Sequence, residues 1–289
     1  MRQPHPRSFR REGINWHKLA LAIATSFADI RGMTVPDKIA LSGVKKLRSG
    51  QLALNGVTLS IVAGSFVAIV GRSGSGKTTL LKTINGLVMP DEGWIRLDGM
   101  DIRGRPPTEL RRRIGYVFQE VGLFPHMTVA ENIWLVPGLL GTPNTQRDDR
   151  IAELLTLVAL SPDLAARYPR ALSGGQAQRV GFARALAARP AVMLMDEPFG
   201  ALDPVTRDEL GRAYRTLHDQ LGLTSLLVTH DMAEALLLAD RVILLDAGQV
   251  RADMTPAEMM ADTDNSAVRA MIEIPRKQAE RLIALQRQA

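Results

Sequence analysis

Five short stretches of the chain, 66–70, 114–118, 191–195, 224–229 and 241–245, are largely apolar and do not alternate. A strand of this kind must be covered on both faces, so these stretches predict parallel strands inside an α/β layer. A different pattern precedes them. From Pro36 to Ile61 apolar and polar residues alternate, with Ile39, Leu41 and Val44 before Ser49-Gly50 and Leu52, Leu54, Val57, Leu59 and Ile61 after it. Period-two alternation broken by a turn pair predicts an antiparallel ribbon. Residues 88–101 predict a further turn and strand of the same layer. Helix signals fill the rest. Thr128 and Glu131 form a capping box, Ile151, Leu154, Leu155 and Val158 form an apolar stripe, Ser161-Pro162 is a cap followed by proline at a first helical position, and Asp231 with Glu234 starts a helix after the fourth strand. Residues of about 121–188 carry only helical signal, which predicts a helical subdomain inserted into an α/β core.

One stretch gives this pattern a chemistry. Gly71-Arg72-Ser73-Gly74-Ser75-Gly76-Lys77-Thr78 follows the first apolar run and precedes Thr79-Leu80-Leu81-Lys82, a helix start. Strand, glycine loop and helix form the setting in which G-x-x-x-x-G-K-[ST] is a phosphate cradle. Glycines let several N–H groups turn toward one anion. The helix adds its positive end. Lys77 supplies a compact charge for the β- and γ-phosphates, and the Thr78 hydroxyl a hard oxygen for Mg²⁺. The predicted fold class is therefore α/β, a P-loop NTPase with a RecA-like parallel-sheet core, an N-terminal antiparallel β layer and an inserted helical subdomain.

Composition narrows the picture little. A length of 289 residues suggests about two domains. No apolar run approaches the ~18 residues of a membrane span. The chain has no cysteine, so disulfides and thiolate metal sites are excluded, and its five histidines lack zinc-like spacing. The net charge of +6 resembles a nucleic-acid footprint until it is located. Residues 1–31 carry Arg2, Arg7, Arg10, Arg11, Lys18 and Arg31 against Glu12 and Asp29, leaving the remainder nearly neutral. No nucleic-acid partner is argued from charge. Residues 1–33 read as an extension. Leu19-Ala20-Leu21-Ala22-Ile23-Ala24 resembles a short signal segment, although export conflicts with an ATP site. A membrane-touching helix, a poorly ordered extension and a true start at Met33 stay open.

In open α/β sheets, ligands bind beyond the carboxyl ends of the strands. The first run ends in the phosphate loop, the second at Gln119, the third at Asp196-Glu197 and the fourth at His230. Each residue alone has an ordinary explanation. Together they divide the labour of phosphoryl transfer: Asp196 to hold Mg²⁺, Glu197 to take a proton from water, and His230 to contact the γ-phosphate and hold the glutamate. A further motif, Leu172-Ser173-Gly174-Gly175-Gln176, places Ser173 as an N-cap with Gln176 three residues on. The helix is read as running through Val180 to Ala188. Its bare N-terminus is a second anion site about a hundred residues from the first.

These motifs, with Ala201-Leu202-Asp203, stand in the order and spacing of an ATP-binding cassette (ABC) ATPase, which residues 37–254 resemble. The resemblance implies a head-to-tail dimer of two copies, or of this chain with a paralogous ATPase. Each ATP would lie between the phosphate loop of one copy (Gly71, Ser73, Gly74, Ser75, Gly76, Lys77, Thr78 and Thr79) and the Ser173 helix of the other. Gln119 would join Thr78 and Asp196 at Mg²⁺ and Lys77, Glu197 and His230 in catalysis. Ser173 and Gly175 would touch the γ-phosphate in trans, and Asp203 would line the seam. More narrowly, Glu109-Leu110-Arg111-Arg112-Arg113-Ile114-Gly115-Tyr116-Val117-Phe118-Gln119, Val121-Gly122-Leu123-Phe124-Pro125-His126 and the tail Ile274-Pro275-Arg276-Lys277-Gln278 are similar to the ATPase subunits of bacterial importers of glycine betaine, choline and carnitine. That implies a peripheral position on the cytoplasmic face of the membrane. An integral permease would be bound through residues 119–128, and a substrate-binding protein would act indirectly.

The sequence departs from that family twice. An aromatic residue usually stacks on adenine, and Arg48 stands at the counted position. Two readings are open, a guanidinium on the purine face or a solvated arginine. Only about 35 residues, 255–289, follow the cassette, expected as a helical tail too short for the paired regulatory domains of some relatives. Rival readings are an exporter, an importer of other solutes, a soluble ABC protein of DNA repair or translation, and a silent binding module. Phe199-Gly200-Ala201 leans toward import. The single cassette disfavours the soluble class, and Lys77, Asp196, Glu197 and His230 together oppose silence.

Overall fold

A computed structural model describes residues 37–286, Ala201 and Thr263 excepted. The readings made for residues 1–33 lie outside the described residues.

Two sheets form the frame. The first, ordered β2-β1-β4-β5, is antiparallel and comprises β1 (Asp37–Arg48), β2 (Gln51–Val62), β4 (Glu92–Leu97) and β5 (Met100–Asp101). The second, ordered β10-β9-β3-β8-β7-β6, contains β3 (Phe66–Val70), β6 (Ile114–Val117), β7 (Val192–Asp196), β8 (Thr224–Val228), β9 (Arg241–Asp246) and β10 (Gln249–Met254). Its first five strands in space after β10 run parallel, and β10 pairs antiparallel with β9. The five non-alternating stretches are thus the five parallel strands.

β3 shows why they do not alternate. All five of its residues are buried, but they serve two cores. Val67 and Ile69 pack with Ile39, Leu41 and Ile61 of the antiparallel layer and with Leu80, Leu81 and Ile84 of α1 (Lys77–Ile84). Phe66, Ala68 and Val70 face the helical side. With side chains leaving a strand in alternate directions, an apolar residue is needed at every position.

The remaining helices are α2 (Pro107–Arg112), α3 (Val129–Leu139), α4 (Arg147–Leu157), α5 (Gly174–Leu186), α6 (Pro204–Leu221), α7 (Met232–Leu238), α8 (Pro256–Ala261) and α9 (Ser266–Gln286). Residues 121–188 hold α3 to α5 and short 3-10 turns, without a strand. The capping box at Thr128 forms, with Glu131 Oε2 accepting from the Thr128 N–H at 2.7 Å. Ile151, Leu154, Leu155 and Val158 are all buried. The helix expected after Ser161-Pro162 is a correction: Ser161 caps, but only a 3-10 turn follows, Pro162–Ala166. Pro169 begins the next turn three residues later, and a ring without an N–H prevents an α-helix from continuing through it.

Candidate functional site

The phosphate loop is fixed by close backbone packing. Gly71 has φ +153° and Gly76 has φ +104°; a Cβ on either would overlap a carbonyl oxygen, that of Leu245 or that of Ala53. The hairpin between β9 and β10 braces the loop from outside: the Gly248 N–H donates to the Ser75 carbonyl at 3.0 Å, and the Gly248 carbonyl accepts from Asn55 at 2.9 Å. Lys77 is buried, its Nζ donating to the carbonyls of Gly71 and Arg72 at 2.8 and 2.9 Å. Burial pushes its pKa down, and the nearby Glu197 and Asp196 carboxylates pull it back up. The N-cap of α1 is Gly76, which has no side chain to offer the first-turn N–H groups, and the Ser75 Oγ is buried without a partner among the described residues. Orphan donors around one hollow are what an anion would satisfy. The hollow opens into a cleft of about 440 Å³ lined by Ala53, residues 73–79, Gln119, Glu197 and His230.

Beside this cleft, Thr78 Oγ1 donates to Asp196 Oδ1 at 2.9 Å, across 118 residues of chain; Thr78 lines both this cleft and its larger neighbour, and Asp196 lines the neighbour. Burial pushes the Asp196 carboxyl above the ordinary carboxylate range; the Thr78 hydroxyl and Lys82 oppose this. A hydroxyl and a buried carboxylate are hard oxygens of the kind Mg²⁺ takes, with phosphate and water completing its shell. No cluster of three His, Asp or Glu side chains suited to a metal exists among the described residues. Gln119 is turned elsewhere: its Nε2 donates to Glu197 Oε2 at 3.3 Å.

Glu197 has φ +46°, a left-handed conformation that costs a non-glycine residue on the order of 1–3 kcal/mol. Its N–H donates to the Val228 carbonyl at 2.9 Å, which extends the β7–β8 pairing and aims the side chain along the sheet edge. His230 Nδ1 lies 3.2 Å from the same Oε2 that Gln119 contacts. One carboxylate oxygen therefore gathers residues from the ends of β6 and β8.

The structure does not bring Ser173, Asp203 or Arg48 into this cleft. Ser173 caps α5, its Oγ accepting from the Gln176 N–H at 3.2 Å while Gln176 Oε1 accepts from the Ser173 N–H at 3.0 Å. Gly174 and Gly175 form the exposed to half-buried first turn. Asp203 caps α6 through the N–H groups of Val205 and Thr206, which hold its carboxyl below the usual range. Arg48 lies exposed at the end of β1 opposite Gln51, its side chain making no hydrogen bond or ion pair to a described residue.

Other residues carried weaker signals or none. Ala53 lines the cleft as an unremarkable strand residue. Arg184 of α5, itself buried, donates to the carbonyls of Val121 and Gly122 at 2.8 and 2.7 Å, tying α5 to the segment after Gln119. That segment borders a second cleft of about 730 Å³, which includes Phe118, Phe124, Leu135 and Val136. Gln178 Nε2, also buried, donates to the Pro198 carbonyl at 2.5 Å.

With this geometry in view, a family model described as "ABC transporter" matches residues 54–200. A glycine betaine uptake system ATP-binding protein, YehX of Escherichia coli (strain K12), is 52% identical over 231 residues, 80% of this chain and 75% of its own length. The chain belongs to the ABC transporter family. The glycine betaine/carnitine/choline transport ATP-binding protein OpuCA of Bacillus subtilis (strain 168) is 50% identical over 79% of this chain, and the chain spans 60% of the length of that relative. The ATP-binding cassette MJ0796, solved as a dimer in a post-hydrolysis state bound to ADP and Pi, superposes with a TM-score of 0.69 at 36% identity, over 75% of this chain and 98% of that one. The ABC family match covers the phosphate loop, Gln119, Ser173 and Glu197 but ends before His230, whose place in the site rests on its contact with Glu197.

Proposed function

We propose that this chain is the ATP-hydrolysing subunit of an ABC importer for quaternary-amine osmoprotectants. The observation that carries the enzymatic part is the convergence of Gln119 and His230 on one oxygen of Glu197, beside a phosphate loop whose lysine is already drawn inward. The loop N–H groups and Lys77 hold the β- and γ-phosphates. Thr78 and Asp196 would hold Mg²⁺, which when bound neutralises charge on the phosphate oxygens. Gln119 and His230 orient Glu197. A water beside that carboxylate attacks the γ-phosphorus and gives its proton to Glu197; the bond from phosphorus to the bridging oxygen breaks, its electron pair stays on ADP, and ADP and inorganic phosphate leave. A positioned base of this kind contributes ~10²–10⁴ in rate.

Ser173, Gly174, Gly175 and Gln176 serve the site of a second copy, and Asp203 meets the seam. The dimeric state of MJ0796 supports this arrangement. The larger cleft, with exposed Phe118 and Phe124 beside α3, is a receptor for a helix of the permease. No described helix is long and apolar enough to cross a membrane, in keeping with a peripheral subunit. The names of OpuCA and YehX support the solute class. Co-purification of the membrane partner, followed by uptake assays with glycine betaine, choline and carnitine, tests the reading. Accelerated uptake of one of these on ATP addition is expected; a partner that moves only sulfonates or amino acids would overturn the solute class and spare the ATPase.

A further inference from the structure

Arg207 stands in the first turn of α6, one turn after its cap Asp203, where the positive end of a helix disfavours a cation. Local structure gives it no reason to be there; its tertiary contacts do. Nη2 donates to the Leu202 carbonyl at 3.2 Å. Nη1 meets Asp231 Oδ2 at 3.3 Å. Nε lies 3.7 Å from Glu234 Oε1, and that carboxylate accepts from the Thr229 hydroxyl at 2.6 Å. The Thr229 Oγ1 in turn accepts from the Asp231 N–H at 3.0 Å.

Thr229 and Asp231 are the two neighbours of His230. The His230 ring is itself largely exposed, 65%, and its side chain contacts Glu197. Its aim is therefore set by backbone, and that backbone is held on both sides by a network ending in Arg207. The Leu202 carbonyl belongs to the turn that begins at Glu197, where the Gly200 N–H donates to the Glu197 carbonyl at 3.2 Å and the Leu202 N–H to that of Phe199 at 3.1 Å. One planar guanidinium spans both loops whose side chains must meet.

We infer that Arg207 is a positioning residue for hydrolysis, fixing the loop of His230 against the loop of Glu197 so that the imidazole–carboxylate contact is kept. Through Leu202, next to Asp203, the same side chain links the predicted dimer seam to His230. This rests on the proposed ATPase reading. None of the partners of Arg207 belongs to the phosphate loop, so nucleotide binding is left intact when it is lost. Misplacement of a catalytic group by about 1 Å costs up to about 100-fold in rate.

The test is steady-state ATPase kinetics of the full chain with Arg207→Ala, Glu234→Gln and the double variant, with thermal melting and binding of a fluorescent ATP analogue measured alongside. Arg207→Ala is expected to lower kcat about tenfold or more, with KM and analogue affinity within about threefold. The double variant is expected to fall little further than Arg207→Ala, since both act through one network. Should Arg207→Ala not fold, Arg207→Lys keeps the charge but cannot span both loops and is expected to lose kcat severalfold with an unchanged melting temperature. A normal kcat in whichever of the two folds, a loss carried by KM, or additive losses in the double variant would overturn the inference. A wild-type chain without turnover would instead overturn the ATPase reading beneath it.

Discussion

The two helix starts read as anion sites, α1 after the phosphate loop and α5 after Ser173, are built in opposite ways. At α1 the cap is a glycine, the first-turn side chains are mostly buried, and partners arrive from afar: Asp196 on Thr78, and Gln119 and His230 on Glu197 beside them. At α5 the cap is an exposed serine, and the bonds that close it span three residues. The first start leaves its donors to a ligand that its own chain surrounds. The second satisfies two donors locally, and its first turn is open to solvent outside the cleft. On the proposed reading, a site enclosed on one side and an exposed helix start are complementary halves, and the second copy of the chain is the partner that would join them.

Lys77→Ala strikes the enclosed half and is expected to have the largest effect. It removes a buried charge from the phosphate loop, and ATP turnover should fall by about 10³-fold or more; measurable turnover near the wild-type rate would break the assignment of the loop. Ser173→Ala strikes the outward half. It should cost about 1 kcal/mol of stability from the lost cap, seen in melting, and lower turnover about tenfold while ATP affinity of the isolated chain is unchanged. Equal loss of monomer affinity would mean that Ser173 serves its own chain's cleft, and the contrast between the halves would fail.

The smallest effect is expected at the base. Ala53 marks the cleft end nearest the ribbon tip, two residues before it stands Gln51, and Arg48 lies across from Gln51. A guanidinium on an exposed purine face contributes about 0.5–1 kcal/mol, so Arg48→Ala should weaken ATP about two- to fivefold by equilibrium binding. With no described partner to lose, the melting temperature should not change. An unchanged affinity would return Arg48 to solvent.

The same contrast explains what could be read from the sequence. Buried parallel strands declare themselves because both faces need apolar residues, and the chemistry-bearing residues end them or follow within two positions: Gln119, Asp196, Glu197, His230. The edge strand β10 interleaves Gln249, Arg251 and Asp253 with other residues and carries no apolar run to announce it. Helix α2 buries only Leu110 and carries no stripe. The turn after Ser161 copied a helix start and was stopped by the spacing of two prolines. Ala53, Arg184 and Arg207 act through backbone carbonyls or distant partners, a role that residue type and spacing do not encode. Where Gln119 points was equally hidden, since its amide reaches Glu197 rather than the Thr78–Asp196 pair only once three strands are aligned.

The joining of the two halves is most directly measured with Glu197→Gln, which keeps the shape of the site and removes the base. On gel filtration in millimolar ATP with Mg²⁺, this variant should elute as a dimer of two 31.6 kDa chains and return to the monomer position when ATP is withdrawn. Elution as a monomer under saturating ATP, by a folded variant that binds the nucleotide, would contradict a site shared between two copies.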